Sequence, residues 1–167
     1  MGSIIILAVI RNEIGLVVLD VEAKVDEPFG PTLGEKKADT SNGQLERIAY
    51  LEHELGCTSS FKDGIRYQLL HRTVSALLTA RVFHACIAVM LVHSFCPKAK
   101  WREDFDAFAE TVAGRPVTKD LYEIELGDTP RLIIGWCRGN ERYLAVELPR
   151  LLRKYGLDRS AFLAHGK

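Results

Sequence analysis

Asp20, Glu22 and Lys24 alternate with Leu19, Val21, Ala23 and Val25 in a run that is otherwise aliphatic. Successive side chains of a strand point to opposite faces, so two carboxylates and an ammonium project together from one face. Burying an ion among aliphatic neighbours costs several kcal/mol unless it is paired or bound to a metal. Two carboxylates ligate a hard cation such as Mg2+ or Mn2+ through oxygen, and a neighbouring lysine orients or deprotonates water beside a phosphate. The patch therefore reads as a site of metal-assisted phosphodiester hydrolysis. Asp20 and Glu22 are its metal ligands, and Lys24 is its water-activating group, expected to be dispensable for folding. The competing account makes Lys24 a structural ion-pair partner of the two acids.

The tripeptide Glu22-Ala23-Lys24 resembles the (D/E)-x-K half of the PD-(D/E)XK nuclease superfamily. Segments 21–32, 66–73 and 89–95 are similar to an uncharacterised bacterial family associated with it, and the likeness spans roughly residues 15–110. The resemblance implies a restriction-endonuclease-like three-layer α/β sandwich around a central mixed sheet. It also implies a Mg2+- or Mn2+-dependent nuclease acting on DNA or RNA. One departure stands out. The superfamily carries a further acid on the preceding strand, but this chain has Ile4-Ile5-Ile6-Leu7 there and no Asp or Glu before Glu13. Either the domain begins partway through the family's first strand and lacks that acid, or Asp20 supplies the second carboxylate. In the first case the chain is a catalytically degenerate module for nucleic-acid binding or protein assembly.

A chain of 167 residues suits a single domain with one substantial core. Lys plus Arg equals Asp plus Glu at 22 each, so no global basic excess advertises nucleic acid. Backbone phosphates nevertheless dominate nucleic-acid affinity, so any such binding must draw on local positive groups. Cys57, Cys86, Cys96 and Cys137 show no paired spacing, and reduced thiols in a cytoplasm follow. Cys86 and Cys96 stand at opposite ends of an apolar strand, about 30 Å apart at ~3.3 Å per residue, so they share no metal ion. The apolar run 4–10 is too short to span a bilayer, and no basic stretch precedes it as a signal peptide would require. Pairing with a second copy of the chain is a further partnership this reading admits.

The elements that must position the patch follow from periodicity. Segments 3–10 and 16–25 predict an antiparallel hairpin through Asn12 and Gly15. Residues 26–43 contain Pro28, Gly30, Pro31, Gly34 and Gly43 and no periodicity, which predicts a long, loosely constrained loop bordering the site. Helices are expected over 44–55, 65–82, 101–112 and 148–155, and further strands over 86–95 and 131–137. The apolar 86–95 run suits a central strand reached by a helical crossover.

Helix starts then furnish residues that reach toward a phosphate. Lys36 and Lys37 in the loop are expected to contact a nucleic-acid backbone, and the resemblance to the nucleases implies a phosphate contact for Gln68 and Arg72 on the second helix. Gln44, Arg47, Tyr67 and His71 lie close to them in sequence. The plain alternative makes Gln68 and Arg72 an i,i+4 hydrogen-bonded pair and His71 a satisfied interfacial histidine.

Overall fold

A computed structural model describes residues 4–38, 42–57, 59–127 and 130–142. The chain opens with the hairpin β1 (Ile4–Arg11) and β2 (Leu16–Lys24), paired antiparallel. Asn12 makes the turn: its Oδ1 accepts the N–H groups of Ile14 and Gly15 at 2.9 and 3.0 Å. Gly15 has φ 145°, and a Cβ there would meet Cys86 Sγ at 2.6 Å, so both the backbone and the space require glycine.

Three helices follow: α1 (Leu33–Ala38), α2 (Asn42–Glu54) and α3 (Tyr67–Val82). They lead into β3 (Ile87–Ser94), which lies parallel to β2. Next come α4 (Arg102–Thr111), the short hairpin β4 (Arg115–Thr118) and β5 (Leu121–Ile124), and β6 (Arg131–Arg138). The sheet has six strands in the order β1-β2-β3-β6-β5-β4, with β6 parallel to β3 and antiparallel to β5. The domain is thus α/β with a mixed sheet.

Even-numbered positions of the central strands build the core. Val18, Ala88, Met90, Val92, Leu132, Ile134 and Trp136 share one sheet face with side chains from α1, α2, α3 and α4, among them Leu33, Ile48, Leu69, Leu77, Phe105 and Phe108. The opposite face, with Val17, Leu19, Ile87, Val89 and Leu91, is only half-buried. Among the described residues the helices therefore make one layer on the sheet, not the two of a three-layer sandwich. β1 is an edge strand whose Ile5, Ile6, Leu7, Val9 and Ile10 are exposed.

Two differences from the sequence expectation have physical causes. Helix α1 lies inside the expected loop, because Thr32 and Glu35 form a reciprocal cap. Thr32 N–H donates to Glu35 Oε2 at 2.7 Å, and Glu35 N–H to Thr32 Oγ1 at 3.2 Å. The segment is also pinned, with Leu33 N–H bonded to Ile65 O, Gly34 N–H to Asp63 O and Tyr67 N–H to Pro31 O at 2.7 to 3.1 Å. It borders the site as expected, but residues 26–38 are tied to the start of α3. The hairpin β4–β5 has little sequence signal, because its strands have four residues each and β4 contains Pro116, tolerated on an edge strand. The helix expected over 148–155 lies outside the described residues.

Candidate active site

Asp20, Glu22 and Lys24 occupy the helix-covered face of β2 and are buried, at 2%, 1% and 2% exposure. Parallel pairing sets Met90, Val92 and Ser94 of β3 beside them, and antiparallel pairing sets Leu7 and Ile5 of β1 opposite Asp20 and Glu22. The strand places the three charges in an aliphatic sheet, so their partners come from elsewhere in the fold.

Those partners are on α3. Positions 68 and 72 stand one turn apart and face β2, whereas Leu69, Leu70, Thr73 and Val74 fill the core. Gln68 Nε2 donates to Glu22 Oε1 at 2.6 Å, and Gln68 Oε1 accepts from Lys24 Nζ at 3.0 Å. The Lys24 ammonium is also 3.0 Å from Glu22 Oε1, donates to Pro28 O at 3.2 Å and lies 5.1 Å from the centre of the Phe29 ring. Arg72 Nε lies 3.2 Å from Glu22 Oε2, an ion contact off the line of a hydrogen bond. Gln68 and Arg72 thus both converge on Glu22 from one face of α3.

Asp20 differs from its neighbour. Its Oδ1 is buried with no hydrogen-bond partner, an arrangement that costs free energy unless the group is neutral or takes a ligand. Burial pushes its carboxyl above the usual carboxylate range. The Arg72 guanidinium opposes that rise and the nearby Glu22 carboxylate adds to it. Asp20 and Glu22 form a pair of hard oxygen donors. Among the described residues no three His, Cys, Asp or Glu side chains gather as a metal set. A pair suffices for Mg2+, which commonly takes one or two carboxylates and completes its shell with water and substrate phosphate. The donor set fits that ion, although Glu22 must share its oxygens with Lys24, Gln68 and Arg72.

The two loop lysines part company. Lys37 pairs with Asp63 at 2.9 Å on the surface. Lys36 places its ammonium 5.5 Å from the centre of the Tyr67 ring, in a cavity also lined by Gly43, Gln44, Arg47 and His71. Pro28 O and Phe29 also hold Lys24 and lie outside the residues that the sequence pattern singles out. Their signal was only that they follow the strand directly and that Phe29 is a large apolar side chain in a loop.

An α/β domain with a buried Asp-x-Glu-x-Lys strand, gripped by a glutamine and an arginine from a crossover helix, is the class that the fold and site define. Residues 5–141 match the family described as a domain of unknown function, DUF6946, and the chain belongs to that family. No curated protein and no solved structure matches the chain. Among the described residues no helix is long and apolar enough to cross a membrane.

Proposed function

We propose that the chain is a divalent-cation-dependent phosphodiester hydrolase acting on DNA or RNA, on a restriction-endonuclease-like fold of which the described residues form the mixed sheet and one helical layer. The observation that carries this reading is the orphaned, buried Asp20 carboxylate beside Glu22, with Lys24, Gln68 and Arg72 concentrated around the pair. The hairpin followed by a helical crossover to a parallel strand supports the same reading. Asp20 and Glu22 would hold a Mg2+ or Mn2+ ion, which supplies Lewis-acid charge and a more acidic water. Lys24 orients the attacking water and Gln68 holds that ammonium in place. Arg72 meets the phosphate, where a planar guanidinium gives paired hydrogen bonds.

A second reading is favoured by the closure of the site. With exposures of 2% or less for Asp20, Glu22 and Lys24, and Glu22 engaged by three side chains, the same cluster works as a structural ion network in a degenerate nucleic-acid-binding or assembly module.

Metal titration of the parent, Glu22→Ala and Asp20→Asn, together with cleavage assays on single- and double-stranded DNA and RNA, separates the two. The hydrolytic reading expects Mn2+ binding at millimolar concentration that both substitutions weaken, and cleavage that a chelator abolishes. Equal metal binding by all three proteins, or a folded Lys24→Met retaining full cleavage, overturns it.

A further inference from the structure

The cavity between α1, α2 and α3 has a volume of about 490 Å³, within the range of small-molecule sites, and is partly open to solvent. Its described lining is Lys36, Gly43, Gln44, Arg47, Tyr67 and His71, without a carboxylate. Arg47 Nη2 lies 3.3 Å from His71 Nε2. A guanidinium only donates, so that ring nitrogen accepts and the other carries the proton. Burial pulls the His71 imidazole below its ordinary value, with the Arg72 and Arg47 charges acting the same way, which keeps it neutral and able to accept. Tyr67 and His71 stack with centroids 5.8 Å apart and planes 22° from parallel.

Among the described residues the cluster has no counter-charge in ion-pair contact. Among the described residues neither Lys36 nor Arg47 has a carboxylate within ion-pair distance, whereas Lys37, Arg66, Arg81, Arg102, Arg115 and Arg131 each have one. Two cations converge on a concave surface beside a flat aromatic wall, and an incoming anion would supply the missing charge with charge-assisted hydrogen bonds. A planar base would extend the aromatic stack, as bases do on tyrosine and histidine in single-strand binders.

We propose that this cavity binds one phosphorylated nucleotide, with the phosphate between Lys36 and Arg47 and the base against the Tyr67–His71 pair. The nucleotide is either a free nucleoside monophosphate or the phosphorylated end of a nucleic-acid strand. Site and residues are separate from Asp20, Glu22 and Lys24, so this binding needs no divalent metal and stands whether or not the chain hydrolyses phosphodiesters.

Calorimetric titration in a chelating buffer, with the full chain, tests the site. Probes are adenosine monophosphate, adenosine, inorganic phosphate, and one short oligonucleotide with and without a 5′-phosphate. The monophosphate is expected to bind at least about tenfold tighter than adenosine. Arg47→Ala and Lys36→Ala should each weaken it by about tenfold, the scale of one charge-assisted hydrogen bond. Tyr67→Leu should weaken the monophosphate about tenfold yet leave inorganic phosphate unchanged. Oligonucleotide binding tighter than the monophosphate, with the gain lost on removing the 5′-phosphate, identifies a strand end; the reverse order identifies a free nucleotide. All three substituted residues line the cavity, and matched melting curves establish that their variants fold. Indifference to the phosphate, or parental affinity in folded Arg47→Ala and Lys36→Ala, overturns the proposal. Loss of cleavage in Glu22→Ala with unchanged nucleotide binding bears on the hydrolytic reading alone.

Discussion

Gln68 and Glu22 lie 46 positions apart in the chain and meet through a 2.6 Å hydrogen bond from the amide nitrogen to the carboxylate. The same amide accepts from Lys24 Nζ at 3.0 Å, which fixes its orientation, because only the oxygen end can face an ammonium. One side chain on α3 thereby bridges the acid and the base of the strand, and α3 cannot shift along β2 without breaking both bonds.

Replacing Gln68 with leucine should therefore destabilise the fold. Both hydrogen bonds vanish, and polar atoms of a buried pair lose a partner, a loss of about 2 kcal/mol in urea unfolding. Gln68→Glu should be worse, since a second carboxylate would face Glu22. A Gln68→Leu protein as stable as the parent would show that the bridge contributes nothing net.

Lys24→Met should also be destabilised, by about 3 kcal/mol, because it leaves Glu22 buried with less positive charge. This departs from the expectation that Lys24 is dispensable for folding; the cause is its burial at 2% exposure in contact with Glu22, Gln68, Pro28 and Phe29. Adding Glu22→Gln should restore part of that loss, so the double-mutant cycle is expected to show coupling. Strict additivity in unfolding measurements would contradict the pairing.

Asp20 gives the stability a pH dependence in metal-free buffer. Its folded carboxyl titrates above the ordinary value of 3.8, so between the two values the folded chain holds a proton that the unfolded chain has released. The stabilisation it lends is full below 3.8 and is lost as pH rises through the folded value. Asp20→Asn should accordingly stabilise the protein more at pH 7 than at pH 4. Equal gains at both pH values would mean that Asp20 titrates normally.

His71 acts in the opposite direction. Its folded value lies below 6.5, so under mild acid the unfolded chain binds a proton that the folded chain refuses. Stability should fall as pH drops from about 6.5, and His71→Gln should flatten that decline. Saturating a phosphate ligand beside Arg47 should also reduce it, by favouring the imidazolium. Unfolding curves of parent and variant from pH 7 to 5 measure both effects.

Much of the framework was legible because it depends on local periodicity. The alternation through Asp20, Glu22 and Lys24 defined a strand and assigned its charges to one face, and the helical spacing of Leu69, Leu70, Val74 and Leu77 predicted α3 nearly to its observed bounds. The cap of α1 was present in Thr32-Leu33-Gly34-Glu35 but was masked by the surrounding glycines and prolines. Position along the chain could not say which helix would lie over the charged face, or in which rotation. Gln68 and Arg72 reach Glu22, and Tyr67 and His71 turn toward Lys36 and Arg47, because core packing of Leu69, Leu70, Thr73 and Val74 sets the roll of α3 on the sheet. That roll is a property of side-chain volumes from distant segments, as is the difference in partners between Asp20 and Glu22, which are equally buried. Two carboxylates with the same spacing and strand therefore differ in environment only once the chain has closed around them.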